Sequence, residues 1–215
     1  MREIMKYKAI VFDLDGVLCN TDKYHYLAWK QLTDELGINF DEQINNRLRG
    51  IGRMDSLNII LESYEEAFSN EEKVALTEKK NTYYKKYLED LSEKDLLPEI
   101  KDTLDKLRAK KLKLAIGSSS KNTKLILKQL GLGNYFDAIS DGTNIHKSKP
   151  DPEVYLKASI FLNIQPQDCL VVEDALSGIQ AATAAGMDCA AIGDGVRYNL
   201  ARYSLNTFSE LLNIV

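Results

Sequence analysis

KAIVFDLDGVLCNTD, residues 8 to 22, is the stretch on which the reading of this 215-residue chain turns. Ala9 to Phe12 form a short, almost unbroken apolar run, as expected of a strand buried on both faces of a parallel sheet. The run stops at two carboxylates one residue apart, Asp13 and Asp15, followed by Gly16. Alternation along an extended chain sends both side chains the same way. In an open α/β sheet the carboxyl ends of strands border the ligand crevice, which is where these two carboxylates would stand. Asp-x-Asp-Gly is also ordinary turn chemistry, so the surrounding chain must decide.

Beyond Asp22 the apolar period changes from strand to helix. Leu27, Trp29, Leu32 and Leu36 recur at helical spacing across residues 22 to 37, and Gly37 is a natural stop. From there to about residue 91 the pattern is helical throughout. Asp55 to Tyr64 and Glu71 to Leu91 read as amphipathic, the second with a buried stripe of Val74, Thr77, Tyr84, Tyr87, Leu88 and Leu91. From Leu97 onward helices and strands alternate. Strands are predicted at Leu112 to Ile116, Phe136 to Ser140, Cys169 to Val172 and Cys189 to Ile192. The helices between them begin at Pro98, run through Leu125 to Leu130, span Pro152 to Leu162, and span Leu176 to Ala185. This alternation predicts an α/β fold, a doubly wound parallel sheet, into which residues 21–91 insert as an α-helical cap on a core of 1–20 and 92–215.

Chemistry collects at the predicted strand ends: Asp13 and Asp15 after the first, Ser118 after the second, Lys149 beyond the third, Glu173 and Asp174 after the fourth. Singly, these residues are common as turns, helix caps or solvated charges. Together they are the parts of a phosphoryl-transfer site. Mg2+ takes oxygen ligands, so Asp13, Asp174 and Glu173 with a backbone carbonyl from Asp15 suit it, while Ser118 and Lys149 suit phosphoryl oxygens. Asp13, with an ordinary pKa of about 3.9, is expected to be ionised and nucleophilic, and Asp15 must hold a proton nearer neutrality to serve as acid and base.

These motifs, in this order, resemble the haloacid dehalogenase (HAD) superfamily from Tyr7 to about residue 195. The resemblance implies a Rossmann-like core, an aspartyl-phosphate on Asp13, acid/base work by Asp15, and Mg2+. Within that superfamily four segments are similar to the β-phosphoglucomutase family: Asp22, Tyr24, His25, Ala28, Trp29 and Lys30; RGIGRMDSL from 49 to 57; KKNTYY from 79 to 84; and SSSKN from 118 to 122. By that resemblance Arg53, in the loop with Gly50, holds the phosphate that is not being transferred. Thr21 and His25 stand at the hinge between core and cap, Lys80 reaches the closed site, and Ser120, Lys121 and Asn122 help bind sugar phosphate. Gly52 departs from the family, where a small polar residue is expected. Without the resemblance, His25 is equally a neutral histidine packed on a helix, and the arginines around 50 a solvated turn.

The implied substrate is a small sugar phosphate and the implied reaction is interconversion of β-D-glucose 1-phosphate and D-glucose 6-phosphate. The nearest alternative is a sugar-phosphate or phosphoglycolate phosphatase that uses the same aspartates with water as acceptor. A sensor that binds without turnover would not need nucleophile, acid/base, lysine and metal carboxylates together. The 28 basic and 32 acidic residues give a net charge of −4, which argues against nucleic acid and membrane surfaces as partners. No run of about 18 apolar residues suggests a membrane span. A cleaved leader would remove the strand before Asp13, and Cys19, Cys169 and Cys189 are scattered without metal-ligand spacing. A cytoplasmic enzyme with reduced thiols, working as a monomer, is therefore expected. Gly193-Asp194-Gly195 lacks the third glycine of a dinucleotide fingerprint and reads as a loop.

Overall fold

Ala9–Phe12 forms a strand, β1, and all four of its residues are buried in the computed structural model of the chain. The structure describes residues 6–64 and 67–215; the opening MREIM, part of the segment read as carrying no leader, lies outside the described residues. Five further strands follow: β2 (Lys113–Gly117), β3 (Ala138–Ser140), β4 (Cys169–Glu173), β5 (Asp188–Ile192) and β6 (Tyr203–Leu205). They make one sheet in the order β3-β2-β1-β4-β5-β6, with every pair parallel. Connections run outward from β1 in one direction to β3 and, from β4, in the other to β6. The reversal falls between β1 and β4, and a crevice opens outside the carboxyl ends of strands at such a point.

Among the described residues the α-helices are α1 (Asp22–Glu35), α2 (Glu42–Asn46), α3 (Arg53–Ile60), α4 (Asn70–Tyr87), α5 (Pro98–Ala109), α6 (Thr123–Gln129), α7 (Glu153–Leu162) and α8 (Leu176–Ala184). Alternate residues of β1 serve opposite faces of the sheet. Ile10 and Phe12 pack with Leu104 and Leu107 of α5 and Leu127 of α6, while Ala9 and Val11 pack with Val154 and Tyr155 of α7 and Ile179 of α8. Each face buries its own core, so β1 is apolar on both sides. Helices α1 to α4 enclose a third core of Trp29, Leu32, Ile38, Phe40, Leu48, Leu57 and Ile60. A Ser69–Glu72 capping box starts α4, each side chain accepting from the other residue's backbone N–H.

Three expectations are corrected. The sheet has a sixth strand: β6 pairs Ala190 with Tyr203 and Ile192 with Leu205, yet it is three residues long and half exposed, leaving no apolar run to detect. Val74, expected in the buried stripe of α4, is exposed, and of the residues at helical spacing in α1 Trp29 and Leu32 are buried, with Tyr24, Ala28 and Thr33, while Leu27 is exposed. The buried face of α4 is Thr77, Lys80, Asn81 and Tyr84, two of them strongly polar. Among the described residues no helix is long and apolar enough to cross a membrane.

Leu104 is fully buried between α5 and the sheet. Leu104→Ala should lower unfolding stability by about 2–5 kcal/mol, read as a lower urea midpoint with an unchanged slope.

Candidate active site

Lys149 is the centre of the charged cluster. Its Nζ lies 2.5 Å from Asp13 Oδ1 and 2.5 Å from Glu173 Oε1, and all three residues are buried. β1 delivers Asp13 and β4 delivers Glu173, so the ammonium bridges two neighbouring strands at their carboxyl ends. Burial works against its charge, but the two carboxylates outweigh it and hold the lysine above its ordinary pKa. Glu173 is fully engaged. Oε1 also accepts from the Tyr155 hydroxyl at 2.7 Å, and Oε2 accepts from the backbone N–H groups of Asp174 and Ala175, each at 2.9 Å.

Asp13, Glu173 and Asp174 each offer an oxygen, and the three oxygens lie within 4.8 Å of one another. One lysine is shared among these three acids. Burial pushes Asp13 up to about 7, with Glu173 and Asp15 adding to the shift and Lys149 opposing it. Burial, then Glu173 and Asp13, push Asp174 up to about 9. Carboxylates so disfavoured as anions call for a further positive charge, and an all-oxygen set fits a hard divalent cation. Gly16 keeps the space open: a Cβ there would overlap the Asp174 carboxylate, and its φ of +87° is left-handed. The expectation that Asp13 is ionised by its ordinary pKa is therefore corrected. Burial and the neighbouring acids hold it above that value.

Asp15 stands on the other side of Asp13 and is half-buried. Burial pushes it up to about 6, opposed by a hydrogen bond from Thr21 Oγ1. Thr21 in turn accepts from the Tyr84 hydroxyl at 3.1 Å, which ties Asp15 to α4. His25 Nδ1 lies 2.9 Å from Lys80 Nζ. Burial, followed by the nearby charges of Lys80 and Arg53, holds His25 well below its ordinary value, so the ring is neutral and Nδ1 accepts. Lys80 is itself depressed, by burial first and Arg53 second, with Asp15 pulling the other way. Its ammonium sits 4.6 Å from the Tyr84 ring centroid and 4.9 Å from that of Trp29.

These groups border one cleft of about 1350 Å³ between the sheet's carboxyl edge and helices α1, α3 and α4. Asp13, Asp15, His25, Gly50, Arg53, Lys80, Ser118, Ser120, Lys121, Asn122 and Asp174 all line it. Thr21, Lys149 and Glu173 do not; they stand behind Asp15 and Asp13 and fix their carboxylates. Lys149, expected to face a phosphoryl group directly, thus spends its charge on the acids. Arg53 faces the cleft from the N-terminus of α3 and pairs with the exposed Glu78 at 2.9 Å, an interaction weak enough to yield to a phosphate. Ser118 Oγ accepts from Ser120 N, and Ser120 Oγ accepts from Asn122 N, each at 3.1 Å. Asn122 Nδ2 donates to Asn81 Oδ1 at 2.9 Å, joining the loop after β2 to α4. Tyr155, Trp29 and Asn81 were assigned no role from sequence. Their polar or aromatic identity matters only through partners far along the chain.

The haloacid dehalogenase-like hydrolase model matches residues 10–192. The chain is 42% identical over 190 residues to the β-phosphoglucomutase of Bacillus subtilis strain 168, covering 87% of this chain and 84% of that protein. It is 30% identical over 185 residues to a phosphorylated carbohydrates phosphatase of Thermotoga maritima, covering 84% and 82%. Its structure aligns with that of a β-phosphoglucomutase from Clostridium difficile at a TM-score of 0.90 and 37% identity, over 95% and 93% of the two chains.

Raised carboxyl groups set a pH signature. An acid whose folded pKa lies above its unfolded value near 4 stabilises the fold below that pH and loses this contribution as pH rises through the folded value. Cation-free protein should therefore become less stable from about pH 4 to about 9, the span set by Asp13 and Asp174. Added magnesium should raise the thermal midpoint more at pH 8 than at pH 5, measured by differential scanning fluorimetry.

Proposed function

This chain belongs to the haloacid dehalogenase-like hydrolase family, and on that premise we propose that it is a Mg2+-dependent mutase interconverting β-D-glucose 1-phosphate and D-glucose 6-phosphate. One observation carries the reading beyond its likeness to two β-phosphoglucomutases. The core carboxylate Asp13 and the cap arginine Arg53 face the same cleft, so a single sugar can meet a phosphoryl-transfer centre and a separate phosphate clamp at once. Residues 21–91 act as a cap that closes over the core.

Asp13 carries the phosphoryl group. The 6-hydroxyl of β-glucose 1-phosphate attacks its phosphorus, the bond to the Asp13 oxygen breaks, and Asp15 takes the hydroxyl proton, giving β-glucose 1,6-bisphosphate. The intermediate turns round in the cleft. Asp13 then attacks the phosphorus on the 1-oxygen, and Asp15 returns its proton to that leaving oxygen, releasing glucose 6-phosphate. A pKa of about 6 lets Asp15 serve in both directions near neutrality. Arg53 holds whichever phosphate is idle, and Ser118, Ser120, Lys121 and Asn122 orient the sugar phosphate over Asp13. Asp13 and Asp174, with the Asp15 carbonyl, would hold Mg2+, which offsets the repulsion between the carboxylate and the incoming phosphate, whereas Glu173, expected as a further ligand, has both oxygens taken by Lys149, Tyr155 and two backbone N–H groups. Thr21 and the Lys80–His25 pair link Asp15 and α1 to α4, so cap position and acid/base geometry change together.

A phosphatase would use the same Asp13 and Asp15 with water as acceptor, and the Thermotoga relative favours that reading. Supplying β-glucose 1-phosphate, Mg2+ and a trace of the 1,6-bisphosphate separates them. Glucose 6-phosphate should accumulate with little inorganic phosphate; phosphate without the isomer would overturn the mutase. Arg53→Ala should lower mutase kcat/KM about a hundredfold or more while changing hydrolysis of a monophosphate that has no second anchor by less than about threefold. Equal losses would remove the clamp assignment.

A further inference from the structure

The cap loop Arg49–Gly52 touches the core at three points, each beyond a different strand: two loops and the first turn of α8. Ser119, after β2, donates its hydroxyl to the Gly50 carbonyl at 3.2 Å. Ser177, after β4, donates to the Arg49 carbonyl at 3.3 Å. Ser148, beyond β3, packs against Gly52: a Cβ on Gly52 would overlap the Ser148 hydroxyl oxygen and lie 3.2 Å from Ser148 Cβ. A Cβ on Gly50 would meet Ser177 Oγ at 2.5 Å and Ala175 Cβ at 3.3 Å. The glycines bare the loop backbone, and the core hydroxyls fill the space their side chains would take. Arg49 adds an ion pair to Asp194 in the core and another to Asp22, at 2.7 Å, at the start of α1.

We infer that Ser119, Ser177 and Ser148 form a hydroxyl seat for the cap loop, and that this seat sets how the aspartyl-phosphate divides between sugar hydroxyl and water. The seat requires no ligand. It binds backbone carbonyls next to Arg53, so it fixes the clamp's distance from Asp13 and keeps water out while the bisphosphate turns round. It gives the departure at position 52 a physical reason. A hydroxyl on the cap side would collide with Ser148, and the core supplies the hydroxyl instead. The three serines are positioning residues. The role in partition rests on the mutase reading above, whereas the seat itself rests on the contacts alone.

The test uses Ser119→Ala/Ser177→Ala in the full chain, with two readouts. Amide hydrogen exchange in the peptide spanning residues 48–54 should accelerate about fivefold or more as two carbonyl contacts are lost. Inorganic phosphate released per glucose 6-phosphate formed should rise by a similar factor, with the thermal midpoint little changed. Gly52→Ala should shift both readouts the same way, since its φ of −72° admits alanine without backbone strain, and Ser148→Ala in that background should restore them. Exchange at wild-type rates in the double variant and in Gly52→Ala overturns the seat, whatever the wild-type enzyme makes. Faster exchange with an unchanged phosphate share overturns the role in partition. A wild-type enzyme that forms no glucose 6-phosphate fails the mutase reading, while accelerated exchange still upholds the seat.

Discussion

A buried ammonium shared by two carboxylates is the constraint on which the rest of the site depends. Lys149 joins Asp13 at the end of β1 to Glu173 at the end of β4, and Glu173 is fully buried while Asp13 shows only its edge to the cleft. Removing one partner of such a cluster leaves an uncompensated charge in a low-dielectric interior, which costs far more than a surface pair is worth. The arrangement therefore holds the Asp13 carboxylate still. It also leaves the site short of positive charge, because three acids share one lysine, and an all-oxygen set of this kind suits a hard divalent cation.

Sheet topology explains why these groups meet. Adjacent strands β1 and β4 belong to the two halves of the sheet that wind in opposite directions, so the loops leaving their carboxyl ends diverge and leave a crevice. Helix α4 borders the cleft with a second set of buried polar groups. Lys80, Asn81 and Thr77 face inward from α4, and each is tolerated because it has a partner: His25, Asn122, and the Val74 carbonyl for the Thr77 hydroxyl. A neutral His25 accepting from Lys80 makes the α1–α4 contact a hydrogen bond with directional preference, beside the rings of His25 and Tyr84, whose centroids are 4.1 Å apart and whose planes are tilted by 35°.

Much of this was legible in the chain. The double-sided apolar run of β1, the alternation of helices and strands after Leu97, and the acids at strand ends led to the parallel α/β core, because burial on both faces leaves no ambiguity of period. The face of α4 was misread for the opposite reason. Apolar periodicity assigned Val74 to the interior, whereas the interior of a site is polar and selects Lys80 and Asn81. Strand β6 escaped notice because a three-residue edge strand carries too few buried residues to set a pattern.

By itself the sequence determined the residue types available for chemistry, their order, and their placement at strand ends, since local periodicity and turn residues act over a few positions. Only the tertiary structure decided which of them stand together. It set Lys149 behind Asp13 instead of in the open cleft, engaged both oxygens of Glu173, raised the pKa of Asp13 and Asp174, and brought the hydroxyls of Ser119, Ser177 and Ser148 against the Arg49–Gly52 loop, Ser119 across 69 residues of sequence and Ser177 across 128. Desolvation and contact between distant segments depend on how the whole chain packs, and no local pattern encodes them.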